Sequence, residues 1–226
     1  AEQRLRPVVT AHPKFARGWH LLGTVCQNQQ KADEALDAFR HAIEADPKAL
    51  GPYLLQARLA VQIKDWETAY TTSEALIKAD SRHRYPEAYV HNAVARYHRN
   101  DLDGAEKAAR EALRLDRKRL LPRAEFVLGS ILAAKRDYAD AETHLREYLK
   151  REPKAADADT VRTRIANLGK PEPVGAPAEL EASNLSLPPA GEAWVPGGMQ
   201  ALARAARVAK PVAFENFFTE YCRARV

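Results

Sequence analysis

Small apolar residues punctuate the chain at a nearly fixed interval. Ala1, Ala35, Ala69, Ala105 and Ala141 are separated by 34, 34, 36 and 36 residues, and Gly23, Ala57, Ala93 and Gly129 each fall 12 residues before the last four of them. Around these marks, apolar positions recur three and four apart with polar positions between, which is the period of an amphipathic helix and not of a strand. Each interval therefore predicts two short helices that touch where the small residues stand. A unit of this length cannot bury its apolar face alone, so stacked neighbours must share a continuous core.

In the stretch 16–49 the marks are Trp19, Leu22, Gly23, Ala35, Phe39, Ala42 and Pro47. Their order and spacing resemble the tetratricopeptide repeat (TPR) family. That resemblance implies an all-α, right-handed TPR solenoid of antiparallel helix pairs, each pair consisting of a helix A and a helix B. The unit 50–83 keeps Tyr53, Ala57, Ala69 and Leu76 but has Ser73 where an aromatic is usual and Ser81 where the closing proline belongs. The unit 86–119 keeps Tyr89, Ala93, Ala105 and Ala112, with Arg117 in place of the proline and two extra residues at each junction, Arg84-Tyr85 and Leu120-Leu121. The unit 122–155 returns to pattern with Leu128, Gly129, Ala141, Leu145 and Pro153.

Ala1, Leu5, Val8 and Pro13 fall where a preceding unit would carry its helix B, so residues 1–15 read as half a repeat. At the other end, 156–169 reads as a capping helix with Val161, Ile165 and Leu168 turned inward and Arg162, Arg164 and Asn167 outward. The segment 170–198 then changes composition to six prolines among glycines, alanines and serines, the signature of a linker. Within 199–226 two further helices are expected, Met199 to Ala209 and Val212 to Arg225. Phe214, Phe217, Phe218 and Tyr221 form a stripe on the second, and leaving them in water would forfeit on the order of 6 kcal/mol. That docking helix is expected to pack either on its own array or on another copy of the chain.

Apolar residues make up 46% of the chain and are spread over every unit, as an elongated array requires. The formal charge of +5 comes from 35 basic residues interspersed with 30 acidic ones. The longest basic run, Arg117-Lys118-Arg119, lacks interleaved aromatics, which argues against a nucleic-acid partner. No stretch reaches the roughly 18 to 20 apolar residues that a membrane span needs, so a soluble protein is expected, cytoplasmic or exported after processing. Cys26 and Cys222 are expected as thiols, with pairing possible only if the tail folds back or a second chain contributes. His91 with Glu87 one turn before it, His98 two turns on, and Asp101-Leu102-Asp103-Gly104 superficially suggest metal sites, but no ligand set is complete, so no cofactor and no catalytic residue are expected.

The TPR resemblance implies a concave groove lined by helix A. The positions that correspond are Arg17, His20, Thr24 and Gln27, then Leu54, Arg58 and Val61, then Val90, Val94 and Tyr97, then Arg123, Phe126 and Ser130. The clamp with which some members hold an acidic chaperone tail is replaced here by His20, Thr24, Leu55, Glu87 and His91. An apolar strip rimmed by Arg17, Arg58 and Arg123 suits an amphipathic helix or an acidic, partly apolar segment. The expected function is a non-catalytic scaffold for a protein or peptide partner. The alternatives are a self-assembling subunit, forming a homo-oligomer or filament by head-to-tail contact, and the regulatory arm of a larger enzyme.

Overall fold

The structure is a computed structural model and describes residues 1–170. The linker 170–198 beyond its first residue, the two C-terminal helices and Cys222 lie outside the described residues. Ala1–His12 belongs to one compact unit and the described residues from Pro13 onward to another. In the first unit, α1 (Glu2–Ala11) buries Leu5 and Val9, while Val8 is half-buried.

The second unit holds α2 (Ala16–Asn28), α3 (Ala32–Ala45), α4 (Leu50–Gln62), α5 (Trp66–Ala79), α6 (Glu87–His98), α7 (Leu102–Leu115), α8 (Pro122–Ala134), α9 (Tyr138–Arg151) and α10 (Ala158–Asn167). Among the described residues there is no strand. Each even-numbered helix from α2 to α8 packs on its successor, and α3, α5 and α7 pack in turn on the next pair. The contacts α4 with α6 and α6 with α8 form the helix-A layer. This is the all-α stack of helix pairs that the sequence resemblance implies.

Close approach within each pair depends on the small residues. A Cβ on Gly23 would stand 2.6 Å from the Phe39 ring, and one on Gly129 would stand 2.8 Å from Leu145 Cγ and 3.0 Å from the Ala141 carbonyl oxygen. Ala57, Ala69, Ala93 and Ala105 are fully buried at the corresponding places. Thus the ridge that fills each gap is the large residue four positions after the alanine ladder, Phe39 or Leu145, with the alanine beside it. Trp19 takes an outer position instead: half-buried, it lies 4.5 Å from the His41 ring and donates from Nε1 to the Pro13 carbonyl.

Every turn from helix A to helix B has the same backbone. Gln30, Lys64, Asn100 and Arg136 adopt φ of 61°, 64°, 62° and 66°, and the next N–H in each case donates back to the carbonyl of Cys26, Ala60, Arg96 or Leu132. This is the Schellman arrangement that satisfies the last carbonyls of a helix. Asp65, Asp101 and Asp137 then cap helix B by accepting from the N–H of Thr68, Gly104 and Asp140. Asp101 is therefore a helix cap, and its carboxyl is held below the ordinary range first by the Gly104 N–H and then by Arg96.

The two lengthened junctions share a second device. Asp80 Oδ2 accepts from the Tyr85 N–H at 2.9 Å, and Asp116 accepts from the N–H groups of Leu120 and Leu121 at 2.9 and 2.7 Å. His83 and Arg119, three residues after these aspartates, both turn through positive φ, 50° and 53°. Both aspartates are buried, and each loop runs into a proline, Pro86 or Pro122, at the next helix start. A buried carboxylate thus replaces the closing proline as the element that fixes the turn.

Ser73 is fully buried and belongs to a polar network between α5 and α6. Asn92 Nδ2 donates to Ser73 Oγ and Glu74 Oε1, while Arg96 donates to Asn92 Oδ1, to Glu74 at 2.8 Å and to Asp101. A serine where an aromatic is usual is explained by these partners.

α10 closes the stack through Ala158 and Val161, which are buried, and through an ion pair. Arg123 donates to Asp157, and the Tyr148 hydroxyl donates to Asp157 Oδ1 at 2.7 Å while accepting from Arg123 at 3.0 Å. Burial, and behind it the bond to Asp157, pushes the Tyr148 phenol up to about 12. Arg164 does not face outward with Arg162: its guanidinium reaches Ser130 Oγ at 3.1 Å.

Gly129→Leu is expected to overpack the α8–α9 contact and lower stability by about 1 to 3 kcal/mol in denaturant unfolding. Asp157→Ala should leave the buried Arg123 without a counter-charge and cost about 3 to 5 kcal/mol, whereas Asp159→Ala, which removes only an exposed pair with Arg162, should leave the midpoint nearly unchanged. Because the Tyr148 phenol is raised in the fold above its ordinary 10.0, its contribution is complete below pH 10 and is lost as pH rises toward 12. Alkaline unfolding of the parent and of Tyr148→Phe should therefore diverge in that window.

Candidate partner-binding groove

The helix-A layer carries the residues that the sequence assigns to a groove, and their surroundings differ from one end to the other. On α2 the spacing of Arg17, His20, Thr24 and Gln27 keeps them on one face. Arg17 is exposed, and the other three are half-buried. The Thr24 hydroxyl donates to the His20 carbonyl, and the His20 ring meets Phe39 edge-on at 6.2 Å; burial lowers the His20 imidazole below its usual range. On α4, Leu54 and Arg58 are half-buried and Val61 is fully buried. On α6, Tyr97 is half-buried and meets the His98 ring edge-on, whereas Val90 and Val94 are buried.

α8 is closed. All ten residues from Arg123 to Leu132 are buried, as a helix that is apolar on nearly every side requires. Phe126 packs against Tyr148 with ring centroids 5.4 Å apart and lies under the Arg123 guanidinium at 4.3 Å. Arg123, 9% exposed, is therefore no rim cation; Asp157 and Tyr148 hold it in the closing contact. Ser130 is held in the same way by Arg164. The residues of this layer that remain partly accessible lie on α2, α4 and α6.

His91 departs most from expectation. The sequence offers it as an incomplete metal-site candidate and at a clamp position of the groove, but only 1% of it is exposed, and among the described residues neither ring nitrogen has a hydrogen-bond partner. Desolvation, reinforced by the positive charge of Arg58, lowers its pKa to about 3, so the ring is neutral at physiological pH. Arg58 Nε is likewise cut off from water without an acceptor, and burial lowers that guanidinium below its usual value. α4 and α6 are adjacent, so two unsatisfied polar side chains stand together in the helix-A layer. The run Ala88, Val90, Ala93, Val94 and Ala95 around His91 was the available signal of its burial.

The other residues considered for chemistry are engaged structurally. His98 stacks on Trp66 at 3.8 Å with planes 8° apart, and Asp101 caps α7. Burial, with the charge of Asp116 adding to it, raises the Glu87 carboxyl above its ordinary value. Cys26 is buried in α2. The docking residues Phe214, Phe217, Phe218 and Tyr221 lie outside the described residues.

Models of the tetratricopeptide repeat match residues 16–49 and 126–168. Among solved structures, the chain is similar to YrrB, described as a TPR protein with an unusual peptide-binding site, with a TM-score of 0.55, 16% identity, and coverage of 74% of this chain and 86% of that one. A TPR protein from Parabacteroides merdae gives a TM-score of 0.62 at 18% identity, covering 74% of this chain and 65% of that one. A thermophilic TPR protein from Thermus thermophilus gives 0.54 at 16% identity, covering 73% and 86%. At such identities the likeness concerns the fold alone. No curated protein matches the sequence. Among the described residues no helix is long and apolar enough to cross a membrane. The repeats matched near either end of one stack of helix pairs, together with the likeness of that stack to solved TPR arrays, identify tetratricopeptide repeats in this chain, arranged in a TPR-type fold.

Proposed function

We propose that the chain is a non-catalytic scaffold that binds a peptide or partner helix along the helix-A layer, across α2, α4 and α6. The observation that carries this reading is the pair Arg58 and His91, whose buried Nε and two ring nitrogens lack hydrogen-bond partners among the described residues. Such groups are costly unless something satisfies them, and a ligand bearing carboxylate or carbonyl acceptors would satisfy the Arg58 Nε–H and the protonated ring nitrogen of His91. Leu54 and Tyr97 offer partly accessible apolar surface on the same helices, and Arg17 adds a cation on α2. The expected ligand is accordingly an acidic, partly apolar segment. The description of YrrB as having a peptide-binding site agrees with this reading and concerns that protein.

Peptides selected from a displayed random library against the whole chain provide the test. Arg58→Glu and Tyr97→Ala should each weaken the selected peptides by about tenfold or more, while Arg110→Glu on the opposite helix layer should not change their affinity. Peptides sensitive to Arg110→Glu and indifferent to Arg58→Glu would overturn the groove assignment. Circular dichroism of all three variants should match the parent.

A further inference from the structure

The two lengthened junctions form a feature that the groove does not use. A cavity of about 320 Å³ opens between the loop that precedes α6 and the loop that precedes α8. Its apolar lining comes from Pro86, Leu115, Leu120 and Leu121, and its charged lining includes Arg84, Arg117 and Lys118. The walls are held in place, because buried Asp80 and Asp116 bind the backbone N–H groups of both loops. A binding surface fixed in this way loses little conformational freedom when occupied.

Two properties define what fits. Leu120 is 72% exposed, well above Ile63 and Tyr138 at 40% and 39%, so one aliphatic side chain stands in water at the cavity wall. Arg117 and Lys118 are exposed and make no ion pair among the described residues, and Arg82 stands in the other loop at the place equivalent to Lys118. The opposing anions are weak competitors. Both oxygens of Asp116 are committed to backbone N–H groups, and burial together with Asp116 raises the Glu87 carboxyl above its ordinary value. Arg84 leans on Asp80 at 3.4 Å, the one ion pair that the lining residues Arg84, Arg117 and Lys118 make among the described residues. Charge and shape thus favour an anionic chain that also carries an aliphatic group.

We propose that this junction cleft is a docking site for an acidic peptide segment of a partner protein, whose carboxylates meet Arg117 and Lys118 while one aliphatic side chain packs against Leu120 and Leu115. It lies at the B-to-A junctions, apart from Arg58 and His91, and extends the scaffold reading by a second contact surface. Two sites on one array would raise the avidity for a partner long enough to reach both.

The probe is a fluorescein-labelled peptide of alternating glutamate and leucine, titrated against the full chain and followed by anisotropy. Saturable binding is expected at low ionic strength and should weaken strongly in about 0.5 M salt. The double variant R117E/K118E should lose about tenfold or more in affinity, and Leu120→Ser should lose severalfold, both with parent-like circular dichroism because these side chains face solvent. Arg58→Glu should remove at most a separate, groove-bound phase of the titration and leave the phase that R117E/K118E abolishes unchanged. Loss of binding in Arg58→Glu with none in R117E/K118E would move the probe to the groove and overturn the proposal. Equal binding of an all-glutamate peptide would overturn the aliphatic contact, and absence of binding at millimolar probe would overturn the site.

Discussion

The rest of this array depends on how closely helix A and helix B approach within each pair. At Gly23 and Gly129 the missing Cβ is the space into which Phe39 and Leu145 fit, and at the middle pairs alanines do the same with a single methyl. Interiors packed to crystal-like density transmit any change in that spacing to their neighbours. Since each pair also supplies half of the interface to the next, the spacing within a pair determines how its successor seats.

Polar side chains handle what the small-residue ladder cannot. The Ser73, Asn92, Glu74 and Arg96 network joins α5 to α6 where the usual aromatic is missing, and Arg123, Asp157 and Tyr148 lock the closing helix onto α8 and α9. In both places nearly every donor meets an acceptor, so desolvation is largely compensated. Arg58 and His91 form the exception within the same layer. Their unpartnered atoms lie on α4 and α6, whereas the other such atoms among the described residues, Arg123 Nε and one terminal guanidinium nitrogen of Arg164, belong to side chains that are otherwise held by the closing contacts.

Charge follows a comparable division. Several surface cations on helices face a carboxylate one turn away, as Arg110 does with Glu106 and Arg146 with Glu142, and these pairs add little beyond solubility. At the lengthened junctions Arg117 and Lys118 differ, because they stand on a loop and make no ion pair among the described residues, whereas Arg84 leans on Asp80 and Arg119 on Glu147. Two added residues per junction therefore change the surface as well as the spacing of the repeats.

The repeat period, the helix pairs and the small-residue contacts were determined by the sequence itself, because each rests on local periodicity and on side-chain volume at fixed intervals. The turns were less legible. Gln30, Lys64 and Arg136 adopt positive φ although none favours it, since the pull of two packed helices outweighs a local cost of roughly 1 to 2 kcal/mol per residue. The substitution of Asp80 and Asp116 for the closing proline escaped the pattern for a similar reason: a carboxylate that organises a turn must be buried to do so, and burial is a property of neighbours. The same holds for the groove. Helix periodicity places Arg58, His91, Arg123 and Phe126 in one layer, but only the tertiary structure decides that Arg123 pairs with Asp157, that α8 is buried from Arg123 to Leu132, and that His91 is stripped of water with no partner among the described residues. Face membership follows from spacing along one helix, whereas exposure follows from what the adjoining helices cover.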